Sequence, residues 1–501
     1  MSMNIQQAKE FIRDTVKLYL KKDEYGEYRI PVVRQRPVFL LGAPGVGKTA
    51  IMEQIAQELG IALVSYSMTH HTRQSALGLP FISHKTYDGQ SFDISEYTMS
   101  EIIASVYEVM EKSGVKEGIL FLDEINCVSE TLAPSMLQFL QYKVFGRHQV
   151  PDGWVIVTAG NPPEYNKSVR EFDVVTLDRM KILEVEPDYK TFRNYAKAKN
   201  LHGAVLNYLE LKKDDFYVME TTVKGRSFVT ARGWEDLSDI LKLYEEEGIK
   251  ADEALVGQYI RNDRIVREFT AYYDLYNKYK QDYKIAEIFS GNAPESAYER
   301  AAKAGLDERL ALMGLLVDKI QKELEETVDD STVLSTLMPM LLAVKQSERP
   351  VKDMLELQKL GKEKALEQKR TAGALSSEEK RIGKAMLQFF ADCIKEINLA
   401  GNDNREADFA IVKKAFDEKK SLLQTKVLSK KERLHALFTF VNKAFGEGNE
   451  MLLLLTELTV HDKSARFIAL FGSDDYNEFN NHLMVTKRQD ELLKEIENLE
   501  I

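Results

Sequence analysis

Gly42-Ala43-Pro44-Gly45-Val46-Gly47-Lys48-Thr49 has the form G-x-x-x-x-G-K-[ST], and the residues on either side give it a structural context. Pro37-Val38-Phe39-Leu40-Leu41 reads as a short buried strand running into it. After it, Ile51, Ile55 and Leu59 recur at helical spacing until Gly60 supplies a C-cap. Strand, glycine loop and helix together make the motif chemical. Glycines let backbone N–H groups close around phosphate oxygens, and the helix N-terminus adds its positive end. On this reading Gly42 to Thr49 and the following Ala50 surround a nucleoside triphosphate. Lys48 reaches its β- and γ-phosphates, and the Thr49 hydroxyl holds Mg²⁺.

Two further strands carry the polar groups such a site needs. Gly118-Ile-Leu-Phe-Leu-Asp123-Glu124 is an apolar run ending in two acids. The first is placed to hold Mg²⁺ through water, and the second to orient an attacking water, because phosphoryl transfer depends on positioning and charge more than on covalent chemistry. Trp154-Val-Ile-Val-Thr-Ala159 is followed by Gly160-Asn161-Pro162, which puts the Asn161 amide at a strand end within reach of the water or the γ-phosphate. By itself Asn-Pro is a turn signal; after a phosphate loop and an acidic strand end it becomes the third member of a series. No Asn-Lys-x-Asp motif supports guanine specificity.

Phosphate loop, Leu122-Asp-Glu-Ile-Asn126, Ala159-Gly-Asn-Pro162 and Leu177-Asp178-Arg179-Met180 together resemble the AAA+ ATPases, and within them the MoxR branch, over about residues 1–250. The resemblance implies that Asp123 and Glu124 are the Walker B pair, that Asn161 is sensor 1, and that Arg179 is the finger entering a neighbouring subunit's site. Arg170 is the second candidate for that finger. A finger supplied in trans neutralises charge developing in the transition state, so an isolated subunit is expected to be nearly inactive. Phe228-Val-Thr-Ala-Arg232 resembles the start of the helical lid, with Arg232 as sensor 2. Ala231 stands where the family has proline, and the alternative reading of Arg232 is a helix arginine paired with Glu235 or Asp236.

Thr72 to about Ser95 is too long and irregular for a plain helix. It looks like the helix-2 insertion of MoxR-type proteins, with Phe145 to Gly153 as a second hairpin; both read equally as solvated loops. His70 and His71 have no Cys or acid cluster beside them to complete a metal site and read as polar loop residues. Two cysteines, Cys127 and Cys393, give no disulfide framework, and the longest apolar run, Met451 to Leu455, is too short to span a bilayer. A soluble, cytoplasmic protein is expected. The net charge of −11 is shared by both halves, so neither is a basic module of the kind that binds nucleic acid without sequence preference.

Residues 251–501 contain only Pro294, Pro339 and Pro350, which permits long helices almost throughout. Tyr272, Tyr273, Leu275, Tyr276 and Tyr279 read as one face of a helix beginning near Ala251. Further apolar stripes run through Leu310 to Ile320, Met386 to Ile394, Leu437 to Val441 and Leu452 to Leu455, with a break at Gly373–Ser377 and a loop at Asn402–Asn404. The fold expected is an α/β phosphate-loop core with a parallel sheet (1–183), a helical lid (184–250), a helical extension (251–372) and a helical partner-binding domain (373–501). The function expected is Mg²⁺-dependent ATP hydrolysis by a homohexameric ring that remodels or assembles a client; the resemblance implies a partner with a von Willebrand factor A domain. A nucleic-acid motor subunit and a nucleotide-gated binding module are the alternatives.

Overall fold

The structure, a computed structural model, describes residues 2–70, 76, 78–166, 168–170, 172–222, 225–401 and 404–482. His71 beside the expected insertion, Thr72, Arg73, Gln74, Ser75 and Leu77 within it, and Asn402 and Asp403 of the expected loop lie outside the described residues. The chain divides into two compact units. Met1–Thr191, Thr230–Arg232 and Leu360–Lys380 form the first; Phe192–Val229, Gly233–Lys359 and the chain from Arg381 form the second.

The strands follow in chain order as β1 (Ser2–Met3), β2 (Val38–Gly42), β3 (Ala62–Ser67), β4 (Pro80–Tyr87), β5 (Gln90–Tyr97), β6 (Gly118–Asp123), β7 (Val144–Phe145), β8 (His148–Gln149), β9 (Trp154–Gly160), β10 (Lys181–Val185), β11 (Val218–Thr222) and β12 (Gly225–Val229). The first unit is built on one six-stranded sheet in the order β1-β10-β2-β9-β6-β3, with every neighbouring pair parallel. β9 is buried along its whole length and β6 along all but Asp123. Unbroken apolar runs of this kind are what parallel strands need when both faces are covered. The register brings the carboxyl ends level: Ser67 pairs with Asp123, and Leu41 with Gly160. In an open parallel sheet that edge is where ligands bind. The two expected insertions are antiparallel hairpins, β4-β5 and β7-β8.

Leu360–Lys380 comes to the first unit from the C-terminal half of the chain. Helix Val351–Thr371 ends there, and Ser376 opens helix Ser377–Ala400, its hydroxyl accepting from Glu379 N–H. Between them Ala372 is buried with Val64, Ile102 and Leu120, and its carbonyl accepts from the Leu63 N–H of edge strand β3 at 2.9 Å. The break expected at Gly373–Ser377 is therefore a turn pinned to the sheet edge.

The second unit is helical apart from the β11-β12 hairpin. The helix expected near Ala251 is two helices, Glu253–Tyr259 and Asp263–Asp282. They separate because Arg261 exchanges both backbone hydrogen bonds with Phe228 at 3.0 Å, and Asn262 then caps the second helix by accepting from Arg264 and Ile265 N–H. Tyr273, Tyr276 and Tyr279 lie on its buried face, and Phe269 packs against Trp234 and Tyr208. Leu306–Gln346 and Arg405–Phe445 are single helices of 41 residues each; the first carries Pro339 without ending. Leu337, Leu341, Met386, Phe389, Phe390 and Val412 form a further apolar core, so these stripes are packing surfaces, as expected. Among the described residues no helix is long and apolar enough to cross a membrane.

Candidate nucleotide-binding site

The phosphate loop leaves β2 at Gly42 and enters helix Lys48–Leu59. Gly45 and Gly47 have φ of +75° and +96°, in the region only glycine occupies without strain. Gly45 also has no room for a side chain, because a Cβ there would lie 2.8 Å from Thr230 Cβ. Gly42, Ala43 and Val46 are buried and Pro44 and Ala50 half-buried, so the loop is packed against the rest of the unit.

Lys48 is the buried cation of this site, 8% exposed. Its Nζ donates to Gly42 O at 2.7 Å, Ala43 O at 3.0 Å and Asn161 Oδ1 at 2.9 Å. Burial lowers its pKa to about 8, against the pull of Asp123 and with a further push from Arg232. An ammonium held by neutral oxygens in a dry pocket is poised to exchange them for phosphate oxygens, which restore the missing negative charge.

Asp123 and Glu124 occupy the end of β6 and divide the remaining work. Asp123 Oδ2 accepts from Thr49 Oγ1 at 3.2 Å, and its Oδ1 accepts from the Glu124 N–H at 2.9 Å. A hydroxyl beside a carboxylate is the hard oxygen set that suits a phosphate-bound Mg²⁺, which keeps most of its other ligands as water. Thr49 and Asp123 therefore fit that ion, and among the described residues no cluster of three or more His, Cys, Asp or Glu offers a second metal site. When bound, Mg²⁺ would neutralise phosphate charge.

Glu124 has φ of +56°, a conformation that turns the chain sharply off the strand. Its Oε2 accepts from Ser67 Oγ and from Thr69 Oγ1, each at 3.0 Å. Both hydroxyls come from the end of β3 and the turn after it. Neither stood out in the sequence, because only the sheet order makes β3 the neighbour of β6. Asn126 was also missed. It is 3% exposed, and its Nδ2 donates to the Asn161 carbonyl at 2.8 Å. Cys127 accepts from Asn166 Nδ2, and burial followed by the charges of Glu124 and Asp123 raises its pKa, which disfavours the thiolate.

The arginines separate into two sets. Arg232 opens helix Ala231–Glu246, belongs to the first unit and lies near enough for its charge to act on Lys48. Arg179 is exposed, donates to Gln141 Oε1 at 2.6 Å, and follows Val174 and Val175, which are 80% and 59% exposed. Arg170 pairs with Glu130 at 2.6 Å through exposed groups, an ion pair worth at most about 1 kcal/mol and so easily exchanged. Lys48 is thus bonded to Asn161, and Thr49 and the Glu124 N–H to Asp123, while Arg179 is engaged with Gln141.

No curated protein matches the chain. Residues 38–176 match the model of the ATPase family associated with various cellular activities (AAA), a span that contains Lys48, Thr49, Ser67, Thr69, Asp123, Glu124, Asn126 and Asn161. The parallel sheet, the glycine loop and the strand-end acids of this chain form an AAA-type, nucleotide-dependent ATPase domain.

Proposed function

We propose that the chain is a Mg²⁺-dependent AAA+ ATPase of MoxR type that assembles into a homohexameric ring and uses ATP hydrolysis to remodel or assemble a partner protein. The observation that carries this reading is the convergence of Lys48 on Asn161 and of Thr49 on Asp123 beside a Glu124 that has its own hydrogen-bond partners. Lys48 and the loop amides bind the triphosphate, Thr49 and Asp123 hold Mg²⁺, Glu124 polarises the attacking water and Asn161 positions it. Exposed Val174 and Val175 beside Arg179 favour burial against another subunit, where Arg179 meets that subunit's γ-phosphate. The β4-β5 hairpin, with Phe81, Ile82, Tyr87 and Phe92 exposed, is the element we assign to partner contact. The von Willebrand factor A domain partner rests on family resemblance alone.

Sedimentation of Glu124→Gln with ATP and Mg²⁺ tests the assembly. Particles of about six subunits, formed only with nucleotide, are expected for a closed ring. A 57.3 kDa monomer with ATP bound would rule the ring out and leave a nucleotide-gated binding protein.

A further inference from the structure

We propose that Asn126 is a positioning residue for hydrolysis, which ties the backbone of Asn161 and the segment bearing Arg170 to the turn that carries Glu124; this rests on the ATPase reading above. Asn126 lies in the 3-10 turn Ile125–Cys127 that follows Glu124. Its Nδ2 donates to Asn161 O at 2.8 Å, and its own backbone carbonyl accepts from the Arg170 N–H at 2.9 Å. Asn161 receives Lys48 Nζ on its side chain. One line of hydrogen bonds therefore runs Lys48–Asn161–Asn126–Arg170, from the floor of the phosphate loop to the second arginine candidate.

The need for such a tie follows from the chain beyond β9. The strand ends at Gly160, and Asn161 is followed by Pro162 and Pro163, neither of which has an N–H to donate. Asn161 lies beyond the end of the strand, the prolines after it donate no N–H to carry the ladder on, and its carbonyl is held by Asn126. The fit is close: a Cβ on Gly160 would lie 2.4 Å from Asn126 Oδ1 and 2.9 Å from Nδ2. Oδ1 itself is buried with no hydrogen-bond partner among the described residues. An apolar side chain would avoid that cost, so the advantage of asparagine here lies in the Nδ2 bond to Asn161.

Steady-state ATP turnover and equilibrium ATP binding are to be measured on the full chain, on Asn126→Ala, on Asn161→Ala and on the double variant. Asn126→Asp, which keeps the shape and loses the donor, is the second probe should the alanine variant fold poorly. In either Asn126 variant kcat is expected to fall about 10- to 100-fold, the range typical of groups that orient a site residue. KM and the dissociation constant for ATP should stay within about twofold. In the Asn161→Ala background the Asn126 substitution should cost nothing more, since both act through one bond line. Unchanged kcat, a loss that multiplies with that of Asn161→Ala, or a matching loss of ATP affinity would each overturn the proposal. A wild-type chain that binds ATP without turning it over would instead overturn the ATPase reading itself.

Discussion

At the scale of single residues, the site is a set of groups already satisfied by protein partners that ATP must displace. Lys48 has three oxygens to give up, and an alanine there leaves no cation to meet the phosphates. Lys48→Ala is expected to lose ATP binding by at least about 100-fold in calorimetry, near 3 kcal/mol for a charge-assisted contact. Glu124 presents the subtler case. Two hydroxyls bond one of its carboxylate oxygens, and bonds to charged groups are worth about 1.5–3 kcal/mol each. A carboxylate restrained to that degree is drawn away from an attacking water. Ser67→Ala with Thr69→Val is therefore expected to raise basal ATP turnover about 3- to 10-fold, well under the full value of two bonds because water replaces them in part. Adding Glu124→Gln should abolish turnover whether or not the hydroxyls are present. A double variant slower than the wild type would mean that Ser67 and Thr69 orient Glu124 and do not restrain it.

At the scale of elements, what the sequence made legible is what local chemistry encodes. The phosphate loop needs glycine at positive φ, and the apolar runs at Val38, Gly118 and Trp154 can only be buried parallel strands, so loop, strands and strand-end groups were readable one by one. Pairings set by topology were not. Ser67 meets Glu124 and Asn126 meets Asn161 only because β3, β6 and β9 are neighbours in the sheet. The turn at Ala372 is the plainest example. The sequence shows only a break at Gly373–Ser377, yet Ala372 and Ala374 pack against the ATPase core, and small size is what lets the chain approach β3. That docking predicts a cross-link. A Cβ built on Gly373 lies 3.6 Å from Leu63 Cβ, inside the separation a disulfide spans. Leu63→Cys with Gly373→Cys is expected to oxidise to an intramolecular bond, seen as a reducible mobility shift on denaturing gels. Gly373 has φ of +68°, so the cysteine there carries about 1 kcal/mol of backbone strain, and the bond should form in the native state without further rearrangement. Failure of the pair to cross-link under mild oxidation would mean that the turn does not sit on the sheet edge.

At the scale of the whole molecule, the arginine assignment makes a prediction no single subunit can answer. Arg179 is exposed and engaged with Gln141, at a distance a rotamer change would break, and the two valines before it are uncovered. If Arg179 completes the site of a neighbour, each active centre takes Lys48 from one subunit and Arg179 from the next. Lys48→Ala then ruins the site it lines and leaves its own finger intact, whereas Arg179→Ala keeps ATP binding and ruins only the neighbouring site. Each variant alone is expected to be nearly inactive, since an arginine finger is worth about 10³- to 10⁵-fold in kcat. Mixed one to one, they should regain activity. In a ring joined head to tail, a centre works only where an Arg179→Ala subunit binds ATP and a Lys48→Ala subunit supplies the finger, which random mixing provides at about a quarter of the interfaces. Turnover near a quarter of the wild type, dependent on mixing and absent from either parent, would establish a site shared between subunits. Rings that form and stay silent would remove Arg179 from the role and bring Arg170, whose side chain pairs with exposed Glu130, to the same test.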